Sequence, residues 1–223
     1  MPVFVLELER IAGLIVPATL ETLGMVLASL MFSHIFGVPI GILLVLTGPG
    51  GIRKNKAVNA VLGTIVNVGR SIPFVILMVA IIPFTRLVTG SSIGPVAAVV
   101  PLTVAAIPFV ARLTEAAMLT VEPGVIDACI SMGATASQVV RYVLIPESLP
   151  SLISGAAITA VNLVGYSAMA GAVGGGGLGD LAIRYGYQRW QPDVMFFSVV
   201  VLVAMVQGIQ HLGDKVSRKY RRR

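Results

Sequence analysis

Charged side chains are spread so unevenly along this chain that five stretches of 15 residues or more contain none: residues 22–52, 71–85, 87–111, 148–179 and 194–213. A helix needs about 20 apolar residues to cross roughly 30 Å of hydrocarbon, and all but the second stretch are long enough alone. The second reaches full length when extended back across Arg70 to Ala57, which places one arginine inside the span. The pattern predicts an all-α, multi-pass integral membrane protein with five transmembrane helices, one domain over residues 1–223. Charged residues form 12% of the sequence, against about 25% in a soluble domain, and mean hydropathy is +0.93. An ordinary soluble fold is excluded.

The net charge of +6 is local in origin. Lys215, Arg218, Lys219, Arg221, Arg222 and Arg223 form a basic tail directly after the last apolar stretch. Such a tail fits anionic lipid headgroups at the cytoplasmic face, and no motif of a nucleic-acid module accompanies it. With the loops placed alternately, Arg53, Lys54, Lys56, Arg112, Arg141 and the tail fall on one side, and Arg10, Arg86, Arg184 and Arg189 on the other. The positive-inside rule then predicts an external N-terminus and a cytoplasmic C-terminus. The start, with Glu7 and Glu9, lacks a positive n-region and a small-residue cleavage site, so no removable signal is expected. Cys129 has no neighbour at metal-ligand spacing, and His34 and His211 stand apart, so no metal site is expected.

Breakers punctuate the spans. Gly48-Pro49-Gly50-Gly51 precedes a positive loop, and residues 89–95 read as a Gly/Ser turn. Pro39, Pro73, Pro83, Pro101 and Pro108 fall inside the spans, where each removes a backbone donor and can kink its helix. Kinks suit a pathway that opens and closes, although proline is also commoner in membrane helices than in soluble ones.

The longest polar interruption, residues 112–150, falls on the cytoplasmic side. Pro123 suits a helix start, and Gly133 is placed for a left-handed stop after a helical stretch over 125–132. Thr135 and Gln138 have capping-box spacing for a second helix, which Pro146 and Pro150 are expected to end. Val139, Val140, Val143 and Leu144 fall on one apolar face of that helix, and Asp127 lies in the first turns of the earlier one. Two short helices joined by a glycine turn are either a well-capped loop or a docking element.

Asp127-Ala128-Cys129, three residues, Gly133, nine residues, then Val143-x-Ile145-Pro146 resembles the EAA motif of ABC importer permeases, with substitutions at Asp127, Cys129, Val143 and Ile145. The resemblance implies the type I ABC importer permease fold. It also implies that Asp127, Ala128, Cys129, Met132, Gly133, Ala134 and Thr135 form a coupling helix and turn seated on an ATPase subunit. Arg70-Ser71-Ile72-Pro73-Phe74, Ile82-Pro83-Phe84-Thr85-Arg86, Val100-Pro101-Leu102-Thr103-Val104 and residues 163–174 are similar to the permease subunit of methionine-uptake ABC importers, as are residues 176–179 and Tyr185-Gly186-Tyr187. That family implies a homodimer in the bacterial inner membrane, two ATPase subunits that use ATP and Mg, and an external substrate-binding lipoprotein. The permease itself would bind no cofactor and catalyse no reaction.

The glycine-rich run 174–179 lacks the Gly-Lys-Ser/Thr of a phosphate loop, and Asp180 follows it, so it reads as a flexible or tightly turned external loop. Small residues in the fourth stretch, from Gly155 to Gly171, allow close helix packing. The same stretch could line the two-fold axis, with Tyr166, Ser167 and Met169 facing the pathway. Arg70 either anchors the pore or snorkels to the interface. No Asp or Glu lies in the five stretches, which argues against an ion-coupled secondary transporter, and no charged ring or filter motif suggests a channel.

Overall fold

A computed structural model describes residues 2–221; Met1 and the tail residues Arg222 and Arg223 lie outside the described residues. Every regular element among them is helical: α1 Pro2–Thr47, α2 Lys56–Ser71, α3 Phe74–Ala80, α4 Ile82–Thr89, α5 Pro95–Met118, α6 Pro123–Ser131, α7 Ala136–Val139, α8 Ile145–Gly171, α9 Gly177–Leu181 and α10 Pro192–Arg221. Two π-helical segments, Val140–Leu144 and Ala182–Tyr187, extend α7 and α9.

Among the described residues four stretches are long and apolar enough to cross a membrane: Glu9–Thr47, Pro95–Met118, Ala136–Gly171 and Pro192–Tyr220. The expected second span, from Ala57 to Thr85, is not one continuous helix: α2 and α3 pass the same test together, as a pair bent by 102°, which makes five spans if the pair counts as one. Pro73 caps α3 and Pro83 stands at the start of α4, so both prolines sit where a missing N–H is harmless. Pro39, Pro101 and Pro108 instead lie inside continuous helices. The turn over 89–95 forms as expected, with Gly90 and Gly94 at φ +75° and +102°.

A second correction concerns Pro146 and Pro150, which do not end the second loop helix. The chain runs on without a break over Ala136–Gly171. Pro146 has no N–H for the carbonyl of Tyr142, and the ladder widens just ahead of it, with Ile145 N–H bonding Val140 O. The Pro150 carbonyl is also well served, accepting from the hydroxyls of Ser154 at 3.1 Å and Ser217 at 2.9 Å.

The described residues group into two compact units. One comprises residues 2–31, 73–104 and 160–209; the other comprises residues 32–72, 105–159 and 210–221. In the first, Ile11, Ile15 and Ala18 of α1 pack on Leu178, Leu181 and Val194. In the second, Leu44, Val66 and Ala111 join α1, α2 and α5. Gly37 and Gly41, one helical turn apart, permit that approach: a Cβ at Gly37 would stand 2.8 Å from Val110, and one at Gly41 would stand 2.6 Å from the Ala111 carbonyl oxygen.

Not every helical glycine is needed. Gly24 lies in α1, and a Cβ there would have nothing within 4 Å. Gly24→Ala should therefore stabilise the protein by about 0.4–1 kcal/mol through lost unfolded-state freedom, read as a higher melting temperature in detergent. An unchanged or lower melting temperature would contradict it.

Candidate functional site: the capped hairpin and the buried glycine turn

The hairpin is built by local interactions. Pro123 opens α6, and the helix closes in a Schellman motif: Ala134 N–H bonds Cys129 O at 3.1 Å and Gly133 N–H bonds Ile130 O at 2.9 Å. Gly133 takes φ +85°, a value that only glycine adopts at little cost. Thr135 then forms the expected capping box: its Oγ1 accepts from Gln138 N–H at 3.4 Å, and Gln138 Oε1 accepts from Thr135 N–H at 2.8 Å.

Packing decides which residues remain available. Met118, Val121, Val139, Val143 and Leu144 form a buried cluster, against which Ile126, Cys129, Ala134 and Val140 pack. The apolar face of the second helix is thus occupied by its own chain. Cys129 and Ala134 of the candidate set turn partly inward with it. Asp127, Ala128, Met132, Gly133 and Thr135 stay exposed, Met132 by 80%. Beside the turn lies a groove of about 310 Å³ lined by Met132, Gly133, Gln138 and Tyr142 among others. Asp127 borders a second cavity of about 260 Å³ with Gly48, Asn59 and Glu115. The surface offered is one carboxylate, a flexible thioether and an aromatic ring around a rigid turn.

Arg112, expected in the loop, lies inside α5, which runs on to Met118. It pairs with Glu115 and donates to Asn67 Oδ1 at 2.8 Å. Arg70 is exposed in the last turn of α2, where a cation is favoured by the helix dipole.

The candidate gate residues divide. Tyr166 stacks on Phe74, with ring centroids 4.7 Å apart and planes 3° from parallel. Met169 is 48% exposed. Ser167 is buried and donates to Val164 O at 2.8 Å, so its hydroxyl is satisfied by its own helix and gives no polar surface within this chain.

The glycine run is a packed element. Of the two readings it allowed, the tight turn is the one the structure takes: Gly175, Gly177 and Gly179 are buried. Two side chains from α1, which sequence reasoning missed, hold it in place. Glu21 Oε2 accepts from Gly177 N–H at 2.8 Å, and Thr22 Oγ1 accepts from Leu178 N–H at 2.9 Å, so together they serve the orphan donors at the start of α9. Thr22→Val leaves the buried Leu178 N–H without a partner and should cost about 1–3 kcal/mol, measured as thermal stability in detergent. A loss no larger than that of an exposed Thr→Val control would contradict the assignment.

The family of binding-protein-dependent transport system inner membrane components matches residues 37–213. The probable D-methionine transport system permease protein MetI of Vibrio cholerae is 50% identical over 93% of this chain and 92% of its own length. The methionine import system permease protein MetP of Bacillus subtilis is 47% identical over 78% of this chain and 79% of its own. Among solved structures, a chain of the inward-facing MetNI methionine ABC transporter superposes with a TM-score of 0.93 at 48% identity, covering 95% of this chain and 98% of that one. The capped hairpin, the membrane-length helices and a family match over most of the chain lead to one conclusion: this protein belongs to the binding-protein-dependent transport system inner membrane components and has the type I ABC permease fold.

Proposed function

We propose that the chain is the pore-forming permease subunit of an ATP-driven methionine importer. The observation that carries this reading is its near full-length similarity to a chain of the MetNI methionine transporter, at 48% identity. In this reading two copies pair in the membrane, with the N-terminus outside and the C-terminus in the cytoplasm. Two ATPase subunits bind and hydrolyse ATP with Mg, and an external binding protein delivers methionine. The permease performs no covalent chemistry. Its contribution is a bistable passage whose two states are biased by the ATPases.

The coupling surface is the exposed side of α6 with the Gly133 turn. Asp127, Ala128 and Met132 meet the ATPase, while Cys129 and Ala134 fasten the same element to the permease core. Closure of the ATPase pair moves the hairpin, and the helix that starts at the Thr135 cap takes up that motion. This helix, Ala136–Gly171, also carries Tyr166, Ser167 and Met169. Tyr166 and Met169 serve as gate elements; Arg70 anchors the end of α2.

Reconstitution tests the proposal. The chain, its ATPase and its binding protein in proteoliposomes should take up methionine only when ATP is supplied. Uptake that needs no ATPase would overturn the importer reading, and ATP-driven uptake of a different solute in place of methionine would overturn the substrate.

A further inference from the structure

Trp190 is the chain's only tryptophan, and among the described residues it is the only non-glycine at positive φ, +58°. That conformation is strained for any residue with a Cβ, and most of all for a bulky one. Yet the ring gains little from its own chain, being 81% exposed.

The segment around it is firmly held. Gln191 N–H bonds Tyr185 O at 3.2 Å, and its side-chain oxygen accepts from Arg10 at 2.9 Å. The Arg189 guanidinium lies 4.4 Å from the Tyr185 ring centre. Gly186 is buried so tightly that a Cβ would stand 2.8 Å from Met195 Cβ. An ordered turn therefore holds the indole outward, where a loose loop would have relaxed to negative φ.

What the indole meets is indicated by the helix that follows. Two residues later α10 begins, with Phe196, Val199, Val200 and Val203 exposed by 64, 48, 45 and 55%. Its membrane-length stretch is only 11% buried within the chain, the least of the four. An apolar face of this kind in an inner-membrane component meets acyl chains. Tyr187, 68% exposed, and Arg189 stand with Trp190 just ahead of it. An amphipathic ring and a guanidinium at the boundary between a lipid-facing helix and a polar turn match the headgroup layer, with ring on upper acyl chain, indole N–H on glycerol or phosphate oxygen, and cation on phosphate.

We propose that Trp190, with Tyr187 and Arg189, is a phospholipid headgroup anchor that fixes the depth and rotation of α10. A helix with so little protein packing takes its tilt and rotation from interfacial anchors. The strain at Trp190 is retained because the lipid interface offsets it.

The single indole reports on itself. The full chain is reconstituted in vesicles of phosphatidylethanolamine and phosphatidylglycerol, brominated either near the headgroup or near the chain end. Shallow bromines should quench Trp190 at least about twofold more than deep ones, with aqueous iodide reaching only a minor fraction. Arg189→Gln should reduce the shallow quenching in anionic vesicles; no change would remove Arg189 from the anchor. Emission open to iodide and indifferent to bromine would place the indole in water and overturn the proposal. Emission shielded from both quenchers would show a protein partner covering it, and deep bromines outperforming shallow ones would place it in the hydrocarbon; either result also overturns the anchor.

Discussion

Gly179→Val is expected to leave almost no folded permease. A Cβ at Gly179 would stand 2.4 Å from the Ala168 carbonyl oxygen and 2.5 Å from its Cα, and one at Gly171 would stand 2.2 Å from the Asp180 amide nitrogen. The obstructing atoms are backbone on both sides, so no side chain can rotate away. The glycines let the turn fold α9 directly onto the end of α8, and Glu21 and Thr22 hold it there. Overpacking a well-packed core commonly costs about 1–3 kcal/mol and occasionally more; with two backbones in opposition, the upper end or beyond is expected. Gly165→Ala is the matched control, because nothing lies within 4 Å of a Cβ there. Membrane abundance and detergent melting temperature should collapse for Gly179→Val, fall markedly for Gly179→Ala and hold for Gly165→Ala. Equal behaviour of the two alanine variants would show that the turn is not packed as described.

This turn also marks where sequence reasoning reached its limit. Residues 174–179 announce a bend through their glycines, but burial depends on partners 156 residues earlier in the chain. A side chain such as Thr22 carries no local sign of that duty. The hairpin was legible in detail for the opposite reason: the Pro123 start, the Gly133 stop and the Thr135 box each satisfy backbone groups within a few residues. Charge-free stretches located the long helices because apolar length is the membrane's main requirement. They placed the ends poorly, since α5 continues past Arg112 once Glu115 and Asn67 partner it. Proline gave mixed signals. Pro73 and Pro83 do fall at breaks, whereas at Pro146 a widened turn, with Ile145 N–H bonding Val140 O, lets the helix continue, and at Pro150 the carbonyl takes a partner, Ser217, that lies far beyond any local window.

A series at Gly133 should separate coupling from folding. A Cβ there meets nothing within 4 Å in its own chain, so any effect of substitution on folding comes from the backbone alone. Asn tolerates the left-handed region and should keep most transport, Ala should lose part, and Val should lose more, since left-handed φ costs an ordinary residue about 1–2 kcal/mol. Gly133→Pro cannot reach φ +85° and also deletes the N–H that bonds Ile130 O. At roughly 3 kcal/mol or more for the missing turn, ATP-dependent uptake should fall about a hundredfold. The buried cluster beneath, from Met118 to Leu144, contains neither Gly133 nor Met132, so the variant should still accumulate in the membrane. ATPase activity is the discriminating readout. If the turn transmits closure, Gly133→Pro retains hydrolysis in the assembled transporter while methionine uptake disappears. Wild-type uptake in that variant would show that the left-handed turn plays no part in coupling. Loss of the protein from the membrane would instead mean that the turn is required for folding, and Gly133→Val, with the N–H intact, would then carry the test.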